Sequence, residues 1–141
     1  MKYANDLINL LNILTSPQSG YNDQLLLKLV IQSLSNLITN HHDNQLLIWN
    51  SVRNLLARLM KFDNEILLTS LIFIRNLCSN TSIHMVDERA LIVGLFDVFL
   101  KLENVSKIEE EGYDKNNDEI FHLSSVISIN LHLHILTIKN F

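Results

Sequence analysis

The chain of 141 residues has one cysteine, one proline, three glycines and one tryptophan, and aromatic residues make up only 7% of it. Each scarcity excludes something. With Cys78 alone an intramolecular disulfide is impossible, and a reducing compartment is the natural home. So few Gly and Pro argue against a β-sandwich or barrel, whose closely spaced turns need both. No apolar run approaches the roughly 18 residues of a membrane span. The amino-terminal stretch carries Asp6 ahead of its Leu and Ile residues and lacks a small-residue cleavage site, unlike a secretory signal. Net charge is −4, and Lys28, Arg53, Arg58, Lys61, Arg75 and Lys101 are scattered, so no basic field exists to draw in a phosphate backbone. The expectation is a soluble, cytoplasmic protein with neither membrane nor nucleic acid as partner.

What is present is Leu and Ile at helical spacing. The apolar share of 48% suffices for one continuous core, so a single domain over 1–141 is expected. Leu7, Leu10, Leu11 and Leu14 give a first helix, stopped at Pro17 and Gly20. Asn22 or Asp23 caps a second, with Leu26, Leu29, Val30, Leu34, Leu37 and Ile38 inward, closing near Thr39-Asn40. Asp43 or Asn44 caps a third that carries Leu47, Ile48, Val52, Leu55, Leu56 and Leu59 to about Phe62. Asp63 caps a fourth, Asn64 to Cys78, apolar nearly all round and therefore central. A single turn over Ser82–Val86 precedes a helix capped by Asp87, running from Glu88 to about Leu102 with Leu91, Leu95, Phe96, Phe99 and Leu100 inward; Gly94 within it implies a close helix approach. Residues 103–118 read as an acidic exposed loop, and 119–141 as a last helix, although Ile127, Ile129, Leu131, Leu133 and Ile135 also alternate like a strand.

The chain also resembles itself. "SLSNLITN" at 33–40 and "FIRNLCSN" at 73–80 align at an offset of 40, sharing Asn36/Asn76, Leu37/Leu77, Thr39/Ser79 and Asn40/Asn80, and a weaker third copy begins at Ser124. A spacing near 40 with helices and caps but no strands is the signature of armadillo or HEAT units. The expected fold is thus all-α, an armadillo/HEAT-like α-solenoid of about two and a half to three repeats, with Asn76–Asn80 as a repeat boundary. Chance recurrence of Asn-Leu in a Leu- and Asn-rich chain is the alternative. Two and a half to three units lie at the lower limit for a self-supporting stack. The apolar finish at Ile138 and Phe141 then implies either a piece of a longer protein or a docking surface for another subunit.

The segments "SNLITNHHDNQLLIWNSVRNLLARLM" (35–60) and "LLTSLIFIRNLCSNTSIHMV" (67–86) order a helix, a polar turn, a helix with an aromatic near its start (Trp49) and a buried helix ending in Arg-Asn-Leu. In this the chain resembles armadillo-type proteins, and among them the amino-terminal part of the ataxin-10 family. The resemblance implies a cytosolic, non-enzymatic helical-repeat protein, with fungal relatives linked to regulation of cytokinesis.

Little else carries chemistry. His41-His42-Asp43 and His132-x-His134 lack the one-turn spacing that sets two imidazoles on one helical face, so a metal-dependent enzyme built on them is only an alternative. Phosphate loops, a nucleophile elbow and the zinc-protease pattern do not occur, and Glu109–Glu111 fall in the expected loop. No active site and no cofactor are assigned. Cys78 reads as a small buried hydrophobe. Trp49 is either core or a surface anchor, core being favoured, and Arg53, one turn on, stacks or pairs near it. The expected function is a non-catalytic scaffold that binds a helix or extended peptide of a protein partner, with Trp49, Arg53, Arg75 and Asn76 as candidate contacts.

Overall fold

A computed structural model describes residues 2–17, 23–62, 64–80 and 82–108, together with His122 and Ile127. Among these the chain is helical, without strands: α1 (Lys2–Thr15), α2 (Gln24–Ile38), α3 (His42–Val52), the single turn α4 (Leu56–Leu59), α5 (Asn64–Cys78), a 3-10 turn (Met85–Asp87) and α6 (Arg89–Ile108). The expected all-α class is thus met among the described residues.

The helix ends follow from side chains that satisfy free backbone groups. Asp23 Oδ1 accepts the Leu26 amide at 3.0 Å and starts α2, as the sequence suggests. At α3 the cap is His41, not Asp43 or Asn44: its Nδ1 accepts the Asn44 amide at 3.2 Å. That frees Asn44 to donate through Nδ2 to Leu37 O at 2.9 Å and close the end of α2. Asn40 leaves α2 with φ of 55°, a left-handed position that Asn tolerates better than most residues. The expected cap Asp63 lies outside the described residues, as does most of the expected last helix.

Four expectations shift. The stripe on α1 buries Leu7, Leu11 and Leu14 but leaves Leu10 exposed. On α2 the inward positions are Leu27, Val30, Ile31, Leu34 and Ile38, while Leu26 and Leu29 face out, since "LLLKLVI" offers apolar residues on every side and the sequence alone cannot choose among them. The third helix is two pieces, broken at Arg53–Leu55, with Leu47 exposed. The last described helix extends through Ile108, into the segment read as loop; Phe96 and Leu100 on it are exposed, and Val98 is buried. Asp87 closes the 3-10 turn, and the first bond into α6 is Ile92 N–H to Glu88 O at 3.1 Å.

Helix α5 holds the assembly together: it packs on α2, α3 and α4. Ile66, Leu67, Leu71, Phe73, Ile74 and Leu77 are all buried on it, as an apolar surface on most sides demands. Helices α2 and α5 are both 15 residues long and begin and end 40 residues apart. They run side by side in the same direction. Lys28 Nζ lies 3.6 Å from Glu65 near their starts, while Gln45 donates to both Ile38 O (2.9 Å) and Ser79 Oγ (3.3 Å) at their ends. Four pairs at the 40-residue offset are buried in both helices: Leu27/Leu67, Val30/Ser70, Ile31/Leu71 and Leu34/Ile74.

Gly94 confirms the close approach expected of it. A Cβ there would meet Met60 Cβ and Cγ at 3.1 Å where α6 crosses the end of α4. Met60 Cβ is one bond from backbone and its side chain is buried, so it cannot swing clear. Gly94→Ala therefore loses more from crowding than the roughly 1 kcal/mol that Ala gains in helix propensity. Chemical denaturation is expected to show a net loss of about 1 kcal/mol.

Candidate functional site

Three places bear the side chains that could act. The first joins α3 to the start of α6. Trp49 is only 3% exposed and fills the core. It therefore packs and does not stand out as an anchor. Arg53, in the break after α3, has its guanidinium carbon 5.5 Å from the Trp49 ring centroid and is ion-paired through Nε to Glu88 Oε1. Both partners are partly buried, so the pair fixes the chain before α6 more firmly than a surface ion pair does.

The second is the end of α5, the break between the two apolar runs. Arg75 is exposed and forms no side-chain hydrogen bond or ion pair among the described residues; Asn76 is half-buried, and its carbonyl accepts from Ser79 Oγ at 2.7 Å. Asn80 is buried, donating through Nδ2 to His42 O at 3.1 Å and accepting the Ser82 amide on Oδ1 at 3.0 Å. It thereby locks the α5 turn onto the start of α3. No recorded contact joins Arg75 or Asn76 to Trp49 or Arg53, so the four candidates form two sites and not one.

Cys78 closes α5 with its sulfur directed at Met85 Sδ, 3.1 Å away. Although the residue as a whole is partly exposed, burial of the sulfur pushes the thiol up from 9.0 to about 12. Burial thus favours the protonated thiol at neutral pH. The unfolded chain releases this proton near pH 9 and the folded chain holds it to about 12. The stabilisation is therefore full below pH 9 and falls by about 1.4 kcal/mol per pH unit as pH rises through that window. Alkaline denaturation of Cys78→Ala is expected to lack this slope, and thiol labelling of the native protein at pH 8 to be slow until denaturant is added.

The third place escaped sequence reasoning. A cleft of about 420 Å³ opens between the end of α1, the start of α2 and the end of α4. Leu14, Leu27 and Phe62 supply apolar walls, and Arg58 and Lys61 stand beside them. Arg58 donates to Asn12 Oδ1 at 2.9 Å and to Thr15 Oγ1 at 3.5 Å, tying α4 to α1. These residues are 46 apart in sequence and carry no motif, so nothing local marks them.

Among the described residues the histidines do not converge. His41 caps α3, the His42 carbonyl receives Asn80, and His122 is exposed; His132 and His134 lie outside the described residues. Among the described residues no group of three or more His, Cys, Asp or Glu side chains is placed to hold a metal ion. Among them, too, no helix is long and apolar enough to cross a membrane. The chain matches no protein-family model, and neither a curated protein nor a solved structure shows significant similarity to it.

Proposed function

We propose that the protein is a non-catalytic binding module of armadillo type, built from stacked helical hairpins that present a shared edge to a protein partner. The observation that carries this reading is the pair α2 and α5: equal in length, offset by 40 residues, parallel, and buried along the same stripe. On both helices the equivalent asparagines, Asn36 and Asn76, lie beside the buried stripe, with Gln32 on α2 and Ile72 and Arg75 on α5 within a turn of them. Parallel helices sit about 10 Å apart. Side-chain amides repeated at that distance suit the backbone of an extended peptide, which needs regularly spaced donors and acceptors along its length. Arg75 adds a cation for an acidic partner, and Arg53 borders the neighbouring turn.

The resemblance to the amino-terminal part of the ataxin-10 family supports a cytoplasmic scaffold and makes cytokinesis the process to examine first. The test is affinity capture from cells with the native chain, Arg75→Glu and Asn36→Ala/Asn76→Ala, each checked for native helix content. Loss of one and the same partner in both variants supports the reading. Undiminished recovery in both removes this edge as the binding surface.

A further inference from the structure

The internal comparison of α2 with α5 exposes a face that no other described residue covers. Ile66 and Thr69 of α5 are buried, yet their counterparts 40 residues earlier, Leu26 and Leu29, are exposed, as is Leu25 at 70%. The direction of this face follows from helix geometry at about 100° per residue. Lys28 points toward α5, where it meets Glu65, and Leu29 and Leu26 lie roughly 100° and 160° around α2 from it. The neighbouring helix repeats the pattern. Asn12 of α1 points toward α4, where it meets Arg58, and Leu10 lies about 160° around α1 from Asn12, in one stripe with Tyr3 and Ile13. The α2 stripe therefore points away from α5, with Leu25 on its rim about 60° from Lys28, and the α1 stripe points away from α4; since α1 packs on α2, the two lie on the outer side of this helix pair.

We propose that this end is a twofold interface, on which a second copy of the chain docks the same face. Size favours it: the exposed parts of Tyr3, Leu10, Ile13, Leu25, Leu26 and Leu29 come to on the order of 500 Å² of apolar surface per copy, so polar surroundings bring it to the roughly 800 Å² per partner of a stable pair. That is also the upper range for an apolar patch left on a monomer. Charge favours it too. A self-pairing face sets like against like, and the charged side chains on these stripes are Lys2 and Asp6, opposite in sign and one turn apart near the start of α1, so they offset each other within each copy. Leu29 and Asn36 lie seven residues apart on one side of α2, so this face borders the peptide-binding edge proposed above; the two readings rest on different residues, and the mass measurement and the capture experiment fail separately.

The test is light scattering on the full chain across micromolar to sub-millimolar concentrations. The expected mass is twice 16.3 kDa for the native protein. Leu10→Glu and Leu29→Glu place a charge on the interface without touching the core and are each expected to weaken self-association by about a hundredfold. Leu47→Glu, on the exposed side of α3, is the control and is expected to stay dimeric. Circular dichroism and the melting transition of each variant at low concentration establish that it folds. A native mass of 16.3 kDa throughout the range overturns the proposal. So does a dimer that survives both folded variants, or growth beyond two copies, which would mean a head-to-tail contact.

Discussion

Phe73→Ala is expected to remove about 3–5 kcal/mol of stability, since Phe73 is the largest fully buried side chain among the described residues. Phe73 has no exposed surface and sits on α5, the helix that touches α2, α3 and α4. Removing its ring opens a cavity between elements whose positions are fixed by Leu71, Ile74 and Leu77 on the same helix, so the site cannot collapse around the gap. A domain of this size has only about 5–15 kcal/mol in all. The variant should thus unfold at much lower urea, whereas Phe73→Leu, which keeps most of the volume, should lose under about 1.5 kcal/mol. Leu47→Ala, on an exposed position, should change little. A loss under about 1 kcal/mol for Phe73→Ala would take that ring out of the core.

Gln45→Glu should match it in size, and carry a pH signature that no packing defect shares. Gln45 is buried, and its Nε2 is the donor that joins Ile38 O to Ser79 Oγ, while Oε1 has no partner among the described residues. Glutamate has the same shape but no N–H. At neutral pH a carboxylate would face the Ile38 carbonyl from 2.9 Å in a site closed to water, which is expected to remove several kcal/mol. Protonation restores one donor. The introduced carboxyl would have a folded pKa above its unfolded value of about 4.3, so its penalty is smallest below that pH and grows as pH rises. Native protein and variant should therefore converge in stability on acidification. A gap that stays constant between pH 4 and about 7 would deny Gln45 its role as donor.

The pattern of these sites explains what could be read in advance. The limits of α5, Asn64 to Cys78, follow from an apolar run long enough to be helical and bracketed by polar residues, and Asp23 marks its own cap. Gly94 was readable because a glycine inside a helix has a cost that only close packing offsets. The break at Arg53–Leu55 was not readable, as no Pro or Gly marks it, and Arg53 at that break pairs with Glu88, 35 residues on. The choice of Leu27 and Ile31 over Leu26 and Leu29 is likewise tertiary, set by where α5 lies. Local signals reach side chains within a turn or two, and the candidate sites depend on longer spans. Arg58 with Asn12, and Gln45 with Ser79, meet across 46 and 34 residues, and nothing in either segment announces the other. Asn40 and Asn80 give a further lesson. They are equivalent at the 40-residue offset, yet Asn40 takes a left-handed backbone at the surface and Asn80 is a buried double hydrogen-bonder.

The account rests on α2 and α5 lying side by side in one direction, and distances between paired spin labels test this most directly. One pair, at Lys28 and Glu65, reports the helix starts; the other, at Thr39 and Arg75, reports the ends, and all but the partly exposed Lys28 are fully surface positions. Parallel neighbours about 10 Å apart predict that both pairs fall within about 15 Å. Helices of 15 residues run about 22 Å, so an antiparallel arrangement would put the first pair about 17 Å apart and the second about 20 Å, and both pairs beyond about 15 Å would contradict the account.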